Sequence, residues 1–345
     1  RGECSVKTRK TSSKPTKQPA RSTNVVVKPD ALTAPGADVL GQSVTPQFAA
    51  YHGDSCEVLG KMPKHSVHYS IFSPPFASLY TYSNSPRDLG NVRNDAEFFA
   101  HFDHVIDGLN HVMMRGRLVS LHCMPMPTSK ERDGYIGLRD FRGDLIRAFQ
   151  RHGFIYHSEV TIWKDPVTAM QRTKALGLLY KTVKGNASMS RQGLPDYLVT
   201  VRAPGECPVE ERVTHAEEEY PCSLWQRVAS PVWMDIDAGD TLQRESAREE
   251  EDERHICPLQ LEVIRRGVEL WTNPGDVVLS PFMGIGSEGH IACGGATTKG
   301  AKIAQARRFV GIELKDSYYA QAVKNLKLAS TVRQLTLMDR MEGRE

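Results

Sequence analysis

Two segments of this 345-residue chain carry residue types that could do chemistry: Ser73-Pro74-Pro75-Phe76 and Ser280-Pro281-Phe282-Met283-Gly284-Ile285-Gly286-Ser287. Each follows a short apolar run, Val67 to Phe72 and Val277 to Leu279, so each reads as a turn at the end of a buried strand. Consecutive prolines fix φ and remove N–H donors, which leaves the carbonyls of the turn as unshared acceptors. The Ser73 hydroxyl and the Pro74 carbonyl can therefore hold the hydrogens of a planar amino group and favour a pyramidal nitrogen. Phe76 offers a face on which a flat ring can stack. The glycines of the second segment remove side chains where backbone must touch a nucleotide-type ligand. About thirty residues further on, Gly311-Ile312-Glu313-Leu314 ends another strand, and a carboxylate there can accept from two ribose hydroxyls.

Such turns need a sheet to hold them, and the chain supplies one. Phe48–Tyr51, Val67–Phe72, Arg117–Cys123, Phe154–Trp163, Asp196–Arg202, Val277–Leu279 and Phe309–Glu313 read as strands. Ser55–Met62, Asp95–Met114, Asp140–His152, Pro258–Trp271 and Ser317–Leu328 read as helices; Phe98, Phe102, Val105, Leu109 and Val112 recur at helical spacing. Strands alternating with helices predict an α/β fold with a parallel-rich sheet. Apolar residues are 40% of the chain and charged residues 25%, enough for one large domain. No run is long and apolar enough to predict a membrane span, and the basic N-terminus is followed by no apolar signal segment. Seven cysteines are scattered without a Cys-x-x-Cys pair, which argues against a disulfide framework or a structural zinc site. Residues 1–21 carry seven Lys/Arg against one Glu and read as part of a basic tail able to touch phosphates.

Glycines with a spaced acid suit an adenosine-bearing ligand but do not separate a dinucleotide from S-adenosylmethionine. The Pro-Pro turn separates them, because methylating a nucleobase amine requires such acceptors. Here the chain resembles the S-adenosylmethionine-dependent amino methyltransferases of DNA, in the permuted order called the β class and closest to those of phages and bacteria. In that order the catalytic tetrapeptide comes first, the target-recognition region second and the cofactor glycines last. The likeness spans about residues 47–330. It implies a Rossmann-like methyltransferase fold, with a mixed, mostly parallel seven-stranded sheet, helices on both faces and a loop-rich recognition insertion.

The resemblance implies roles for particular residues. Ser73, Pro74, Pro75 and Phe76 would be catalytic. Ser280, Phe282, Gly284, Gly286 and Ser287 would shape the cofactor pocket, Glu313 would hold the ribose, Asp54 would meet the adenine, and Pro258 would open the helix over the methionine end. Tyr80, Lys164, Arg172, Lys174, Arg191 and Gln192 would reach double-stranded DNA. Serine at the head of the tetrapeptide favours cytosine N4, reached after base flipping, as in restriction–modification methylases; adenine N6 and a catalytically silent DNA-binding subunit are the alternatives. The expected divisions are a disordered basic tail at 1–45, a catalytic half at 46–163, an insertion at 164–255 containing the strand at 196–202, a cofactor half at 256–330 and a tail at 331–345. No metal is implied. The setting would be intracellular and DNA-associated, with monomer and homodimer both open. Two departures stand out: Ser280 occupies a position where Asp is common, and Gly294–Gly300 enlarges the link to the second cofactor strand.

Other chemistries fit poorly. Methylation at carbon 5 of cytosine needs a cysteine nucleophile in a Pro-Cys turn, and Pro221-Cys222 lies in an irregular stretch, where Cys222 reads as an incidental thiol. The zinc-deaminase pattern is absent. His122 and Cys123 read as core or rim residues at a strand end. Trp225 and Trp233 are expected at a packed edge of the insertion, and 240–254 as an acidic surface helix.

Overall fold

The apolar runs that precede the two turns are neighbouring parallel strands, with Val278 beside Tyr69 and Leu279 beside Ser70. This computed structural model describes residues 32–75, 95–173, 176–242 and 259–341. Its first half contains β1 (Gly41–Val44), β2 (Phe48–His52), α1 (Ser55–Lys61), β3 (Val67–Phe72), α2 (Asp95–Val112) and β4 (Met113–Cys123). A small hairpin follows, β5 (Met126–Pro127) and β6 (Leu138–Arg139), with α3 (Lys130–Asp133) between its strands; then come α4 (Phe141–Arg151) and β7 (Ile155–Ile162). The second half contains α5 (Pro166–Thr173), α6 (Tyr180–Asn186), β8 (Asp196–Arg202), α7 (Cys222–Val228), β9 (Val232–Trp233) and α8 (Leu261–Trp271). It closes with β10 (Val277–Ser280), α9 (Ser287–Ala292), β11 (Arg308–Glu313) and α10 (Asp316–Met341).

The main sheet has the order β1-β2-β11-β10-β3-β4-β8-β7-β9. Its five central strands, β2, β11, β10, β3 and β4, are parallel to one another, and β8 runs against them. The sheet has nine strands and not the expected seven, because a short strand is added at each edge. β1 pairs antiparallel with β2, and the two-residue β9 pairs with β7. The central strands are buried on both faces, which is why they read as near-continuous apolar runs. Alternate residues feed separate cores. Ala49, Tyr51, Val67, Phe72, Leu279 and Ile312 pack with Leu59, Phe98, Phe102, Leu145 and Phe149 of α1, α2 and α4. Phe48, Ala50, Tyr69, Ile71, Val278 and Phe309 pack with Ile264, Val268, Ile291 and Leu326 of α8, α9 and α10.

Several boundaries differ from the sequence reading. The packed core reaches ahead of the expected start at 46, to Leu32 among the described residues: Leu32 is buried, and its carbonyl accepts from the Tyr51 hydroxyl at 2.8 Å. Alternating exposure along β1 marks a half-buried edge strand, which polar composition concealed. α10 continues to Met341, through most of the expected C-terminal tail. α8 starts at Leu261, three residues after the expected Pro258.

The stretch expected as one insertion at 164–255 divides into three. Residues between β7 and β8 carry α5 and α6, β8 completes the core, and the chain after β8 returns across the face covered by α8. There Trp233 is buried, donates to the Val228 carbonyl and lies under Arg266; Trp225 is exposed. Asp240 is buried, not part of a surface helix, and it accepts from the Glu262 amide and from the amide and hydroxyl of Thr298. It thus ties the start of α8 to the enlarged 294–300 link. Residues 243–258, which include most of the acidic run, lie outside the described residues, as do 1–31. Cys222 opens α7 as an exposed free thiol. No helix among the described residues is long and apolar enough to cross a membrane.

At the far end of the strands Arg117, 4% exposed, bonds Asp276, the carbonyls of His68 and Trp271, and the carbonyl of Glu211. This one guanidinium joins β4, the end of α8, the turn before β10 and the return segment. Arg117→Ala leaves Asp276 buried without its main cation, and a loss of about 3–5 kcal/mol is expected from urea denaturation. A loss well under 1 kcal/mol would show that Arg117 sits in the fold without holding it.

Candidate active site

The parallel strands all end at one edge, and nearly every described residue singled out for chemistry lies there. Along that edge stand Gly53–Asp54 after β2, Glu313 at the end of β11, Ser280–Phe282 at the end of β10, and Ser73–Pro75 after β3. Next come His122 near the end of β4, Asp196 at the start of the antiparallel β8, and Lys164 just after β7. The chain leaves β10 for β11 on one side and β3 for β4 on the other. A crevice at the carboxyl ends of strands that part in this way is where open α/β sheets bind ligands.

The glycine turn is built as its composition predicts. Gly284 and Gly286 have φ of +52° and +86°, a region that side chains disfavour. A Cβ on Gly286 would also lie 3.2 Å from the Cβ of Ala322 in α10. The Gly284 and Lys315 amides each donate at 2.9 Å to Glu313, one to each carboxylate oxygen. These bonds fix the carboxylate against the glycine turn. The Gly53 amide donates to the Glu313 carbonyl, and the Ser55 hydroxyl donates to the Pro281 carbonyl. They draw Asp54, which caps α1 through the Cys56 amide, up to the same turn.

Two buried hydroxyls at this turn, those of Ser280 and Ser287, have no hydrogen-bond partner among the described residues. Unsatisfied donors beside an open glycine cradle and a positioned carboxylate fit a polar adenosine-bearing ligand. Phe282 packs inward, with its ring centroid 5.7 Å from that of Phe72 and 6.4 Å from that of Phe102, so it forms the floor of the turn. Glu288 lies fully buried behind, and burial pushes its carboxyl up to about 8, with the Glu313 charge adding to the effect.

Beyond β10 the edge changes character. The Ser73 hydroxyl is 3.0 Å from His122 Nδ1. His122 Nε2 is 3.1 Å from Asp196 Oδ2, and Lys164 Nζ is 2.5 Å from Asp196 Oδ1. Asp196 is 2% exposed. Burial alone would raise its carboxyl, but the adjacent His122 and Lys164 outweigh burial and hold it below the usual carboxylate range. Sequence reasoning placed His122 at a core or rim and gave Asp196 no role. Their meeting depends on antiparallel pairing of strands about seventy residues apart, which no local pattern records.

Lys164, singled out for DNA contact, instead has its ammonium against Asp196. Arg191 is half-buried, with its guanidinium on the Gln192 carbonyl, and Gln192 is exposed. Arg172 lies on α5, but its side chain is outside the described residues, as are Phe76, Tyr80, Lys174 and Pro258. The 164–195 lobe leaves Val167, Tyr180, Val183 and Met189 exposed along with Lys181 and Lys184. Among the described residues no cluster of His, Cys, Asp and Glu could hold a metal ion.

Comparison with known proteins bears on the family and the fold. A family model described as DNA methylase, of N6 and N4 type, matches residues 67–324, about three quarters of the chain. The chain is similar to the DNA adenine methyltransferase YhdJ of Escherichia coli (strain K12), with 23% identity over 291 residues that cover 81% of this chain and 82% of that one. Among solved structures it resembles a candidate DNA modification methylase of Thermus thermophilus complexed with S-adenosyl-L-methionine. That match has a TM-score of 0.57 at 20% identity, over 82% of this chain and 94% of the other. It also resembles the PvuII DNA methyltransferase, described as cytosine-N4-specific, with a TM-score of 0.57 at 17% identity, over 84% of this chain and 90% of the other. These likenesses establish the methyltransferase-type α/β fold.

The buried Glu288 has a consequence for stability. In the folded chain it keeps its proton up to about pH 8, whereas the unfolded chain releases it in the ordinary carboxylate range. Between those limits the folded state binds more protons, so this group lowers stability as pH rises from the carboxylate range to about 8 and adds no slope above it. Glu288→Gln removes that slope. Its melting temperature is expected to match the parent's near pH 5 and to exceed it at pH 8 by ~2–4 °C for each ~1 kcal/mol recovered. Coincident pH profiles would show that Glu288 ionises at no cost.

Proposed function

This chain belongs to the DNA methylase family, and from that premise we propose that it transfers a methyl group from S-adenosyl-L-methionine to the N4 amine of cytosine in double-stranded DNA. The observation that carries the proposal is Ser73 at the head of a Pro-Pro turn, with its hydroxyl fixed at the mouth of the crevice beside the glycine cradle. S-adenosyl-L-methionine, when bound, supplies an electrophilic methyl on a sulfonium.

The chain's own residues do the positioning. Glu313 accepts from the ribose hydroxyls. Asp54, at the adjoining strand end, faces the adenine. The Gly284–Gly286 turn lets backbone approach the cofactor, and Ser280 and Ser287 satisfy their hydroxyls on it. Ser73 Oγ and the Pro74 carbonyl accept the amine hydrogens and turn the nitrogen lone pair out of the ring plane. The amine then attacks in line: a nitrogen–carbon bond forms, the carbon–sulfur bond breaks with its electrons going to sulfur, and the nitrogen gives up a proton. An amine engaged in base pairing is out of reach, so the target base leaves the helix and stacks on Phe76. The 164–195 segment, with Arg172, Lys174, Arg191 and Gln192, would meet the duplex.

A second reading, adenine N6, is favoured by one observation: the Escherichia coli relative is named an adenine methyltransferase. Incubation with S-adenosyl-L-methionine and unmethylated duplex DNA, followed by digestion and mass spectrometry of the nucleosides, separates the two. N4-methylcytosine is expected. N6-methyladenine would overturn the assignment of the base and keep that of the reaction, and no methylated nucleoside from any DNA would indicate a silent subunit. Ser73→Ala is expected to lower kcat by about 10²-fold or more and to leave cofactor affinity within about twofold. Glu313→Ala is expected to show the reverse emphasis, a weakened cofactor Kd.

A further inference from the structure

We propose that Ser73, His122 and Asp196 form a proton relay, in which His122 takes up, through the Ser73 hydroxyl, the proton that the amine must lose. The proposal rests on the methyl-transfer reading of the same site. A serine hydroxyl can accept a hydrogen bond from an amine, but alone it is a poor destination for a proton. A carboxylate at this position would need no help; a serine needs a base behind it. The structure supplies one, with His122 Nδ1 3.0 Å from Ser73 Oγ and a buried carboxylate, Asp196, 3.1 Å from the other ring nitrogen.

The partners set the tautomer. A carboxylate beside Nε2 favours the proton there, so Nδ1 presents its lone pair to the Ser73 O–H. The serine oxygen then turns its own lone pairs toward the crevice and the incoming amine. As the nitrogen–carbon bond forms and the carbon–sulfur bond breaks, the amine proton passes to Ser73 Oγ and the serine proton passes to His122 Nδ1. The resulting imidazolium is stabilised by Asp196. It returns its proton through the Ser73 hydroxyl to water in the crevice once the methylated base has left. His122 and Asp196 act through Ser73 and are positioning residues; the same ordering of serine, imidazole and carboxylate serves serine nucleophiles elsewhere.

The surrounding charges suit this role. Lys164, from the end of β7, holds Asp196 Oδ1 and leaves Oδ2 for the ring. Arg142 of α4 bonds Glu159 of β7 at 2.7 Å and also lies near Asp140, so one cation stands between two carboxylates. Asp196 Oδ2 is the carboxylate oxygen paired with the ring, at 3.1 Å.

The test is kcat against pH for wild type, His122→Asn and Asp196→Asn on duplex DNA, with cofactor Kd and circular dichroism as checks on folding. Wild-type kcat is expected to fall on the acid side, where an imidazole base can no longer accept a proton. His122→Asn is expected to lower kcat by about 10²–10³-fold, to leave cofactor Kd within about twofold, and to lose the acid limb. Asp196→Asn should lower kcat and displace the limb. A His122→Asn enzyme with wild-type kcat, or with an unchanged acid limb, overturns the relay. A readout that needs no turnover is the ¹⁵N spectrum of the His122 ring: an Nε2-protonated neutral ring is expected, and an Nδ1-protonated ring overturns the relay. Failure of the methyl-transfer reading appears elsewhere, as a wild-type chain that makes no methylated nucleoside while the ring spectrum still reports the tautomer.

Discussion

The pairing of β10 with β3 is the constraint on which the site depends. These strands are about two hundred residues apart in sequence, yet each contributes the turn that the other requires. Their parallel alignment sets the glycine cradle and the Pro-Pro turn at the same height, and the strands outside them carry the remaining groups at intervals of about 4.8 Å. Glu313 and Ser280 hold one end of the crevice, Ser73 its middle, and His122 with Asp196 its other end. Binding groups and reacting groups are thus separated by whole strands of a rigid sheet, which gives them a precision that loops alone would not.

How much of this was legible depended on whether a residue's role was local. Ser73, the two glycines and Glu313 sit in turns that end apolar runs, so strand, turn and chemistry could be read from neighbours in sequence. His122 and Asp196 could not. Each reads as a polar residue at the end of a strand, and they meet only because β4 and β8 pair antiparallel. Lys164 shows the same limit: a lysine in a polar stretch suggests a phosphate partner, and its ion pair with Asp196, buried and distant in sequence, has no local signature.

The irregular stretches show a related limit. Residues 203–242 have little periodicity, because they are held by individual polar contacts and two short elements. Asp240 alone accepts from α8 and from the link before β11. That accounts for the enlarged Gly294–Gly300 link: it is the landing place of a buried carboxylate. β1 escaped notice because an edge strand with one exposed face needs few apolar residues.

The strand order also bears on how the chain is made. β2 and β3 are consecutive strands in sequence, yet β11 and β10 stand between them. The middle of the sheet is therefore synthesised after both of its flanks. A nascent chain that has not reached Val277 holds two unpaired inner edges, at β2 and at β3, which must neither close on each other nor recruit a foreign strand. Insertion of β10 and β11 fills that gap and, in the same event, brings the glycine turn to Ser73. Completion of the core and assembly of the crevice are one step of folding, so a partly made chain has no half-working site to offer.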